Sequence, residues 1–257
     1  AKPADAAGLS AAAMLAQPRN LYLLWGLEPG YDLANPALAA RAFSASDFVV
    51  ACTGFRSPSL EAVADIMLPI AAFAETSGTY VNAGGAWQGF RGVVVPPGEA
   101  RPGWKLLRVL GNLLDLPGFD YADSSQVREE VRALSEGVQP DNKPRGDLKV
   151  EPQSAADGLM RIGSVPIYAI DPLVRRAPAL QRTPAAGHFG VFLNPDEAER
   201  LGFSEGEGIE VRQNGAAVQT RIALDRAVPP GCVRIPAGVA GSEVLGDQIG
   251  PVTVHKL

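Results

Sequence analysis

Two carboxylates, Asp65 and Glu75, invite an acid and base reading, because a pair held in unlike environments can separate its titrations and divide proton transfer between them. Their neighbours argue otherwise. Asp65 follows a helical stretch and precedes a strand, where a carboxylate binds turn amides, and Glu75 precedes Gly78-Thr79, where it can fasten a turn. Both are expected to scaffold turns. Gly84-Gly85, with Gly78 and Gly89 nearby, could point several backbone amides at an anion. No Gly-Lys-Ser/Thr follows, so this is no P-loop, and the stretch reads as a tight, close-packed turn.

Metal and thiol chemistry find little support. Cys52 and Cys232 are the only cysteines, too far apart in sequence for a CxxC pair, and they read as buried reduced thiols. His188 and His255 sit in Gly-His-Phe and Val-His-Lys, without a second ligand at helical spacing, so no metal site is expected. Arg175-Arg176 with Arg182 is the densest basic cluster. Its ordinary meaning is a solvated helix face, and its second meaning a docking surface for a neighbouring subunit. Trp25, Trp87 and Trp104 read as core or domain-contact anchors.

Bulk properties narrow the function classes. A chain of 257 residues with 46% hydrophobic content can bury one large core or two smaller ones. The net charge of -5 and pI of about 5.2 argue against nucleic acid, whose binding rests on a surplus of Lys and Arg. No apolar run reaches the roughly 18 to 20 residues of a membrane span. The chain opens at Ala1 on an Ala-rich stretch that is no signal peptide, and it reads as a piece of something longer.

These residues must be positioned by two kinds of architecture. Leu21-Tyr22-Leu23-Leu24-Trp25, closed by Gly26, suits a strand buried on both faces of a parallel sheet. Asn35-Pro36 caps and starts a helix through Phe43. A second strand over 47–52 and a helix opening at Ser57-Pro58 continue the alternation, implying a doubly wound α/β layer. Trp104 to Leu114 has a period near 3.6 and is expected to dock on that layer, and a charged helix follows over 126–134. The tail is mostly β, interrupted by a helix with Asn194 as cap, Pro195 at its first position, Glu197 for a reciprocal cap and Gly202 as its left-handed stop. Strands over 207–213 and 216–224 flank a turn at Asn214-Gly215. Pro229-Pro230-Gly231 leads into another strand at 232–236, and a compact barrel is the simplest closure. The expected domains are an α/β domain over 1–135, a linker over 136–165 and a β-barrel domain over 166–257.

Two stretches carry a family resemblance. Ala64-Asp65-Ile66-Met67-Leu68-Pro69, then Glu75-Thr76-Ser77-Gly78-Thr79-Tyr80-Val81-Asn82 and Gln88, resembles the A-D-x-x-L-P, E-x-x-G-T-x-x-N, Q segment of the molybdopterin oxidoreductases and of the respiratory complex I subunit built on their fold. The tail from Phe192-Leu193-Asn194-Pro195 through Leu201-Gly202, Gly206 and Pro230-Gly231 resembles that family's C-terminal barrel, of double-psi type. Gly98 to Leu110, Ile167-Tyr168, Leu173 to Arg176 and Leu180-Gln181 are similar to the complex I branch. One departure stands out: where the family has an acidic-Gly-Arg turn before its Gln, this chain reads Ala83-Gly84-Gly85-Ala86-Trp87.

The resemblance implies the C-terminal part of the large peripheral-arm subunit of a proton-translocating NADH:quinone oxidoreductase. It implies no catalytic residue and no cofactor in this stretch, with iron-sulfur clusters carried by N-terminal domains outside it. Its partners would be the other peripheral-arm subunits, on the cytoplasmic side of the bacterial inner membrane. The rival expectation is a fragment of a true molybdenum or tungsten enzyme of the formate dehydrogenase or nitrate reductase type, whose pterin would be held by Thr79, Asn82 and Asn194. A third, a free-standing barrel that binds a small molecule, predicts no severed apolar surface.

Overall fold

The computed structural model of the protein describes residues 8–138 and 158–257. Its first part is an α/β layer. Helix α1 (Ala11–Ala16) leads into strand β1 (Leu21–Trp25), the short helix α2 (Pro29–Asp32), α3 (Pro36–Ser44), β2 (Phe48–Thr53), α4 (Pro58–Glu61) and β3 (Ile66–Pro69). The starts are those the sequence announces: the Asn35 side chain accepts from the Leu38 amide and that of Ser57 from the Leu60 amide, each with Pro following. β1, β2 and β3 form a parallel sheet in that order. Tyr22, Leu24, Val49 and Ala51 face the helices and join Ala39, Ala42, Phe43 and Leu60 in one apolar core.

The expectation that β1 is buried on both faces is corrected here. Its residues alternate between exposed and buried along Leu21 to Trp25, because α1, α3 and α4 supply apolar partners to one face alone.

Strands β4 (Gly78–Val81) and β5 (Trp87–Phe90) make an antiparallel ribbon, on which Tyr80 and Phe90 stack with ring centroids 5.1 Å apart. Helices α5 (Gly103–Leu113) and α6 (Ser124–Leu134) follow. The expected docking of the first of these on the layer is realised at one end. Gly103 lies so close to Trp25 that a β-carbon there would meet its ring at 2.6 Å, whereas Leu113 at the other end is 76% exposed.

The second part is a closed barrel. It contains β6 (Leu159–Ile162), α7 (Pro172–Arg175), α8 (Pro178–Gln181), β7 (Val191–Leu193), α9 (Pro195–Leu201), β8 (Gly208–Gln213), β9 (Ala216–Leu224), β10 (Cys232–Arg234) and β11 (Ile249–Lys256). The strands close in the order β10, β6, β11, β8, β9, β7. Two pairs, β6 with β10 and β7 with β9, are parallel and the others antiparallel, the mixed pairing of a double-psi barrel. Val191, Leu193, Ile209, Val211, Ile222, Val233 and Ile235 fill it.

Two boundaries differ from expectation. β6 lies inside 136–165, the stretch assigned to a linker, and is an integral barrel strand between β10 and β11. Its Leu-Met-Arg-Ile sequence is too short and too close to a Gly- and Pro-rich run to announce this. The rest of that stretch, 139–157, lies outside the described residues. The α9 cap also differs in part. Asn194 accepts from the Asp196 amide and Gly202 is left-handed at φ 76, but Glu197 pairs with Arg200 at 2.5 Å instead of closing a reciprocal cap. The hairpin turn is as read, with Asn214 and Gly215 at φ 50 and 83.

Inside the barrel, Arg161 is 1% exposed. Its Nη1 donates to Gln213 Oε1 at 2.9 Å and to the Asp247 carbonyl at 3.2 Å, which burial requires of any charged group. Burial pushes its pKa down to about 10.

Candidate functional site

Between the layer and the barrel lies a cavity of about 440 Å³, lined by Glu28, Tyr31, Ser57, Arg175, Arg176 and His188 among others. Its chemistry is set by a four-charge network. Glu28 ends the loop after β1, where α2 begins at Pro29, and its carboxylate is 1% exposed. Asp32, one turn later, accepts from the Glu28 amide at 2.6 Å. From the other side, α7 presents Arg175 and the residue after it, Arg176, aligned by the Asp171 cap, which accepts from the Leu173 and Val174 amides.

Arg175 Nη2 forms an ion pair with Glu28 Oε2 at 2.9 Å, and Arg175 donates to Asp32 Oδ1 at 2.9 Å. Arg176 donates to both oxygens of Glu28 and to the Arg56 carbonyl at 2.9 Å. The guanidiniums also lie over aromatic rings, Arg175 at 5.0 Å from the Tyr31 centroid and Arg176 at 4.7 Å from that of Phe55. Burial and the charges of Glu243 and Glu28 raise the Tyr31 hydroxyl above its usual range. The solvated helix face expected of Arg175-Arg176 is therefore corrected: both residues are ion-paired across the two parts of the chain.

A second contact lies nearby. Asn35, the α3 cap, donates to Asp247 Oδ1 at 2.8 Å, and Asn214 donates to Oδ2 of the same carboxylate at 3.3 Å. Its backbone carbonyl is the one that Arg161 and Gln213 reach from inside the barrel.

The residues expected around a pterin are distributed elsewhere. Thr79 lies on β4 opposite Gly89. Asn82 follows that strand and accepts from the Gly84 and Ala86 amides at 3.0 and 2.9 Å, an Asx-type turn. Asn194 caps α9 and donates to the Val228 carbonyl at 3.0 Å. None of the three lines the interdomain cavity. Asp65 and Glu75 are likewise occupied, accepting from the Val49 amide at 2.7 Å and the Ala72 amide at 2.9 Å. Among the described residues, no group of His, Cys, Asp and Glu could hold a metal ion. A wider groove of about 600 Å³ beside the β8–β9 hairpin is open, and its charges, Glu210 and Arg212, pair with each other.

The cavity lining does not fit a pterin dinucleotide. A pyrophosphate needs cations that are free to neutralise it, and here Arg175 and Arg176 are spent on Glu28 and Asp32. The buried Glu28 carboxylate would face the incoming anion. Among the fully buried side-chain atoms of the lining, Arg175 Nε has no hydrogen-bond partner. A single N–H does not neutralise a pyrophosphate.

A parallel α/β layer joined to a double-psi barrel through a polar cleft defines the class of protein. Residues 3–113 match the molybdopterin oxidoreductase family, and residues 174–253 match the molydopterin dinucleotide binding domain. The chain is similar to this family over those two stretches. It is 41% identical over 73 residues to the mitochondrial NADH-ubiquinone oxidoreductase 78 kDa subunit of Neurospora crassa, covering 28% of this chain and 10% of that protein. It is 29% identical over 140 residues to a nitrate reductase of Shewanella frigidimarina, covering 52% of this chain and 15% of that one. Acetylene hydratase from Pelobacter acetylenicus shares the fold with a TM-score of 0.62 at 18% identity, over 96% of this chain and 46% of its own. The chain thus spans a small fraction of the length of these curated relatives.

Proposed function

We propose that this chain is a cofactor-free scaffold within the large subunit of an NADH:quinone oxidoreductase of the complex I type. The neutralised cleft carries this reading. Where a pterin enzyme of this fold needs cations for a pyrophosphate, this chain sets Glu28 and Asp32 against Arg175 and Arg176 and so joins the layer to the barrel itself. The 41% identity to the 78 kDa subunit, confined to part of the chain, supports the branch. No helix among the described residues is long and apolar enough to cross a membrane, which agrees with a place in a peripheral arm. Electron transfer would then run through centres held by other parts of the assembly, with this chain fixing their surroundings.

A molybdenum or tungsten enzyme is the second reading, favoured by the match to nitrate reductase and by the orphan Arg175 Nε. Elemental analysis of the full-length product of the same coding sequence separates them. Iron without molybdenum or tungsten is the expected result, and stoichiometric molybdenum or tungsten would overturn the proposal.

A further inference from the structure

The chain has seven asparagines, and Asn214 alone precedes a glycine. An asparagine side chain is attacked at its carbonyl carbon by the backbone nitrogen of the next residue, so that residue decides the chemistry. Asn35 and Asn194 precede Pro, which has no N–H to give up. Asn20, Asn82 and Asn112 precede Leu, Ala and Leu, whose β-carbons crowd the approach. The structure separates them further. Asn82 Oδ1 is held by the Gly84 and Ala86 amides at 3.0 and 2.9 Å, and Asn112 and Leu113 lie within α5, where the backbone is committed to the helix.

At Asn214 each requirement is met. Asn214 and Gly215 are exposed and form the left-handed turn between β8 and β9. Gly215 lies outside the Gln213–Ala216 pair that ends the ladder, and its amide donates to no backbone carbonyl among the described residues. A β-carbon on Gly215 would meet nothing within 4 Å, so the nucleophile stands in open space.

The consequence falls on one carboxylate. Asn214 Nδ2 donates to Asp247 Oδ2 at 3.3 Å, while Asn35 Nδ2, from the layer, donates to Oδ1 at 2.8 Å. The next amide, that of Gln248, donates to the Ala34 carbonyl at 3.3 Å. The 246–248 loop therefore seats the barrel on the layer. Loss of Nδ2 would set a second carboxylate where the first has a donor. Nearby cations are already engaged: Arg161 gives its donors to Gln213 and to carbonyls, and Arg212 pairs with Glu210.

We propose that Asn214 is a self-modification site whose conversion loosens this seat. The Gly215 nitrogen bonds to Asn214 Cγ and gives up its proton, the Cγ–Nδ2 bond breaks, and ammonia leaves. Water then opens the cyclic imide at either carbonyl, giving aspartate or its β-linked isomer. One water enters for each ammonia lost, and no oxidant or reductant is involved.

The folded 257-residue chain is incubated at mildly alkaline pH and its peptides are mapped by mass. Conversion at Asn214 should precede that at every other asparagine among the described residues. Asn214→Asp isolates the consequence, because Asp-Gly serves the same turn as Asn-Gly. Like charges then meet at Asp247, Tm should fall by about 2–4 °C, and the Gln248 amide should exchange faster. Adding Asp247→Asn swaps donor and charge across the contact and should restore Tm. A folded chain in which Asn214 outlasts the other asparagines overturns the proposal. So does an Asn214→Asp protein of unchanged Tm, or one that Asp247→Asn fails to rescue.

Discussion

Replacing Glu28 by Gln keeps the shape of the side chain and removes the charge that two guanidiniums share. Removing one member of a buried ion pair costs about 3–5 kcal/mol, because the partner is left charged and uncompensated. Two features of the network place this case at the lower end. Arg175 keeps Asp32 at 2.9 Å, and Arg176, 34% exposed, can turn to water. A loss of about 3 kcal/mol in a chain of this size lowers Tm by about 6–12 °C. Since Glu28 belongs to the layer and the arginines to the segment leading into the barrel, the loss falls on the joint between them. Calorimetry should show the transition moving down and separating into two. Arg56→Ala is the control, because its pair with Glu61 is 81% and 43% exposed and contributes less than about 1 kcal/mol. A Glu28→Gln protein within about 1 kcal/mol of the parent would refute the reasoning, since the network would then be solvated and would hold nothing together.

Arg161→Met should destabilise the barrel by about 3 kcal/mol, because it strands buried acceptors on Gln213 and the 246–247 loop; urea unfolding measures it, and an unchanged midpoint would contradict it. Acid should weaken the barrel. Arg200 and the Gly231 amide hold Glu197 below its usual range, and the Ala227 amide and Arg234 do the same for Asp225. Both carboxyls take up protons on unfolding, so their contribution is complete above about pH 5 and is lost as pH falls through the lowered values. Urea midpoints between pH 6 and pH 3 should fall, and Glu197→Gln should flatten the slope.

Much of the fold was legible because its signals are local. Asn35-Pro36, Ser57-Pro58 and Asn194-Pro195 each place a capping side chain one residue before a Pro that starts a helix, and Asn214-Gly215 can serve one kind of turn. The turn role of Glu75 followed from the same short-range chemistry, whereas Asp65 accepts from the Val49 amide of β2 and not from a turn amide beside it. What was hidden is long-range. Glu28 looked like an ordinary loop acid beside Pro29, and nothing near it announces partners 148 residues away. Arg175 and Arg176 announced themselves as a cluster, but a charge pattern carries no record of what faces it. β1 misled for a related reason: five apolar residues in a row do not say whether helices cover one face of the strand or both, and here one face of the strand is exposed. β6 was missed because four residues with an Arg in the middle do not read as a core strand until Gln213 and the 246–247 carbonyls are in place around that Arg.

The position of β6 in the barrel sets an order on synthesis. Its two neighbours are β10, beginning at Cys232, and β11, whose paired residues run from Ile249 to Val252. A ribosome making this chain would therefore release Leu159 to Ile162 long before either flank exists, while β1, β2 and β3 can pair as they emerge. The layer can settle during translation, whereas the barrel must wait for residues near 252 and then close several distant pairings together, a topology that folds slowly. During that interval the exposed β6 segment is where a chaperone would have most to protect.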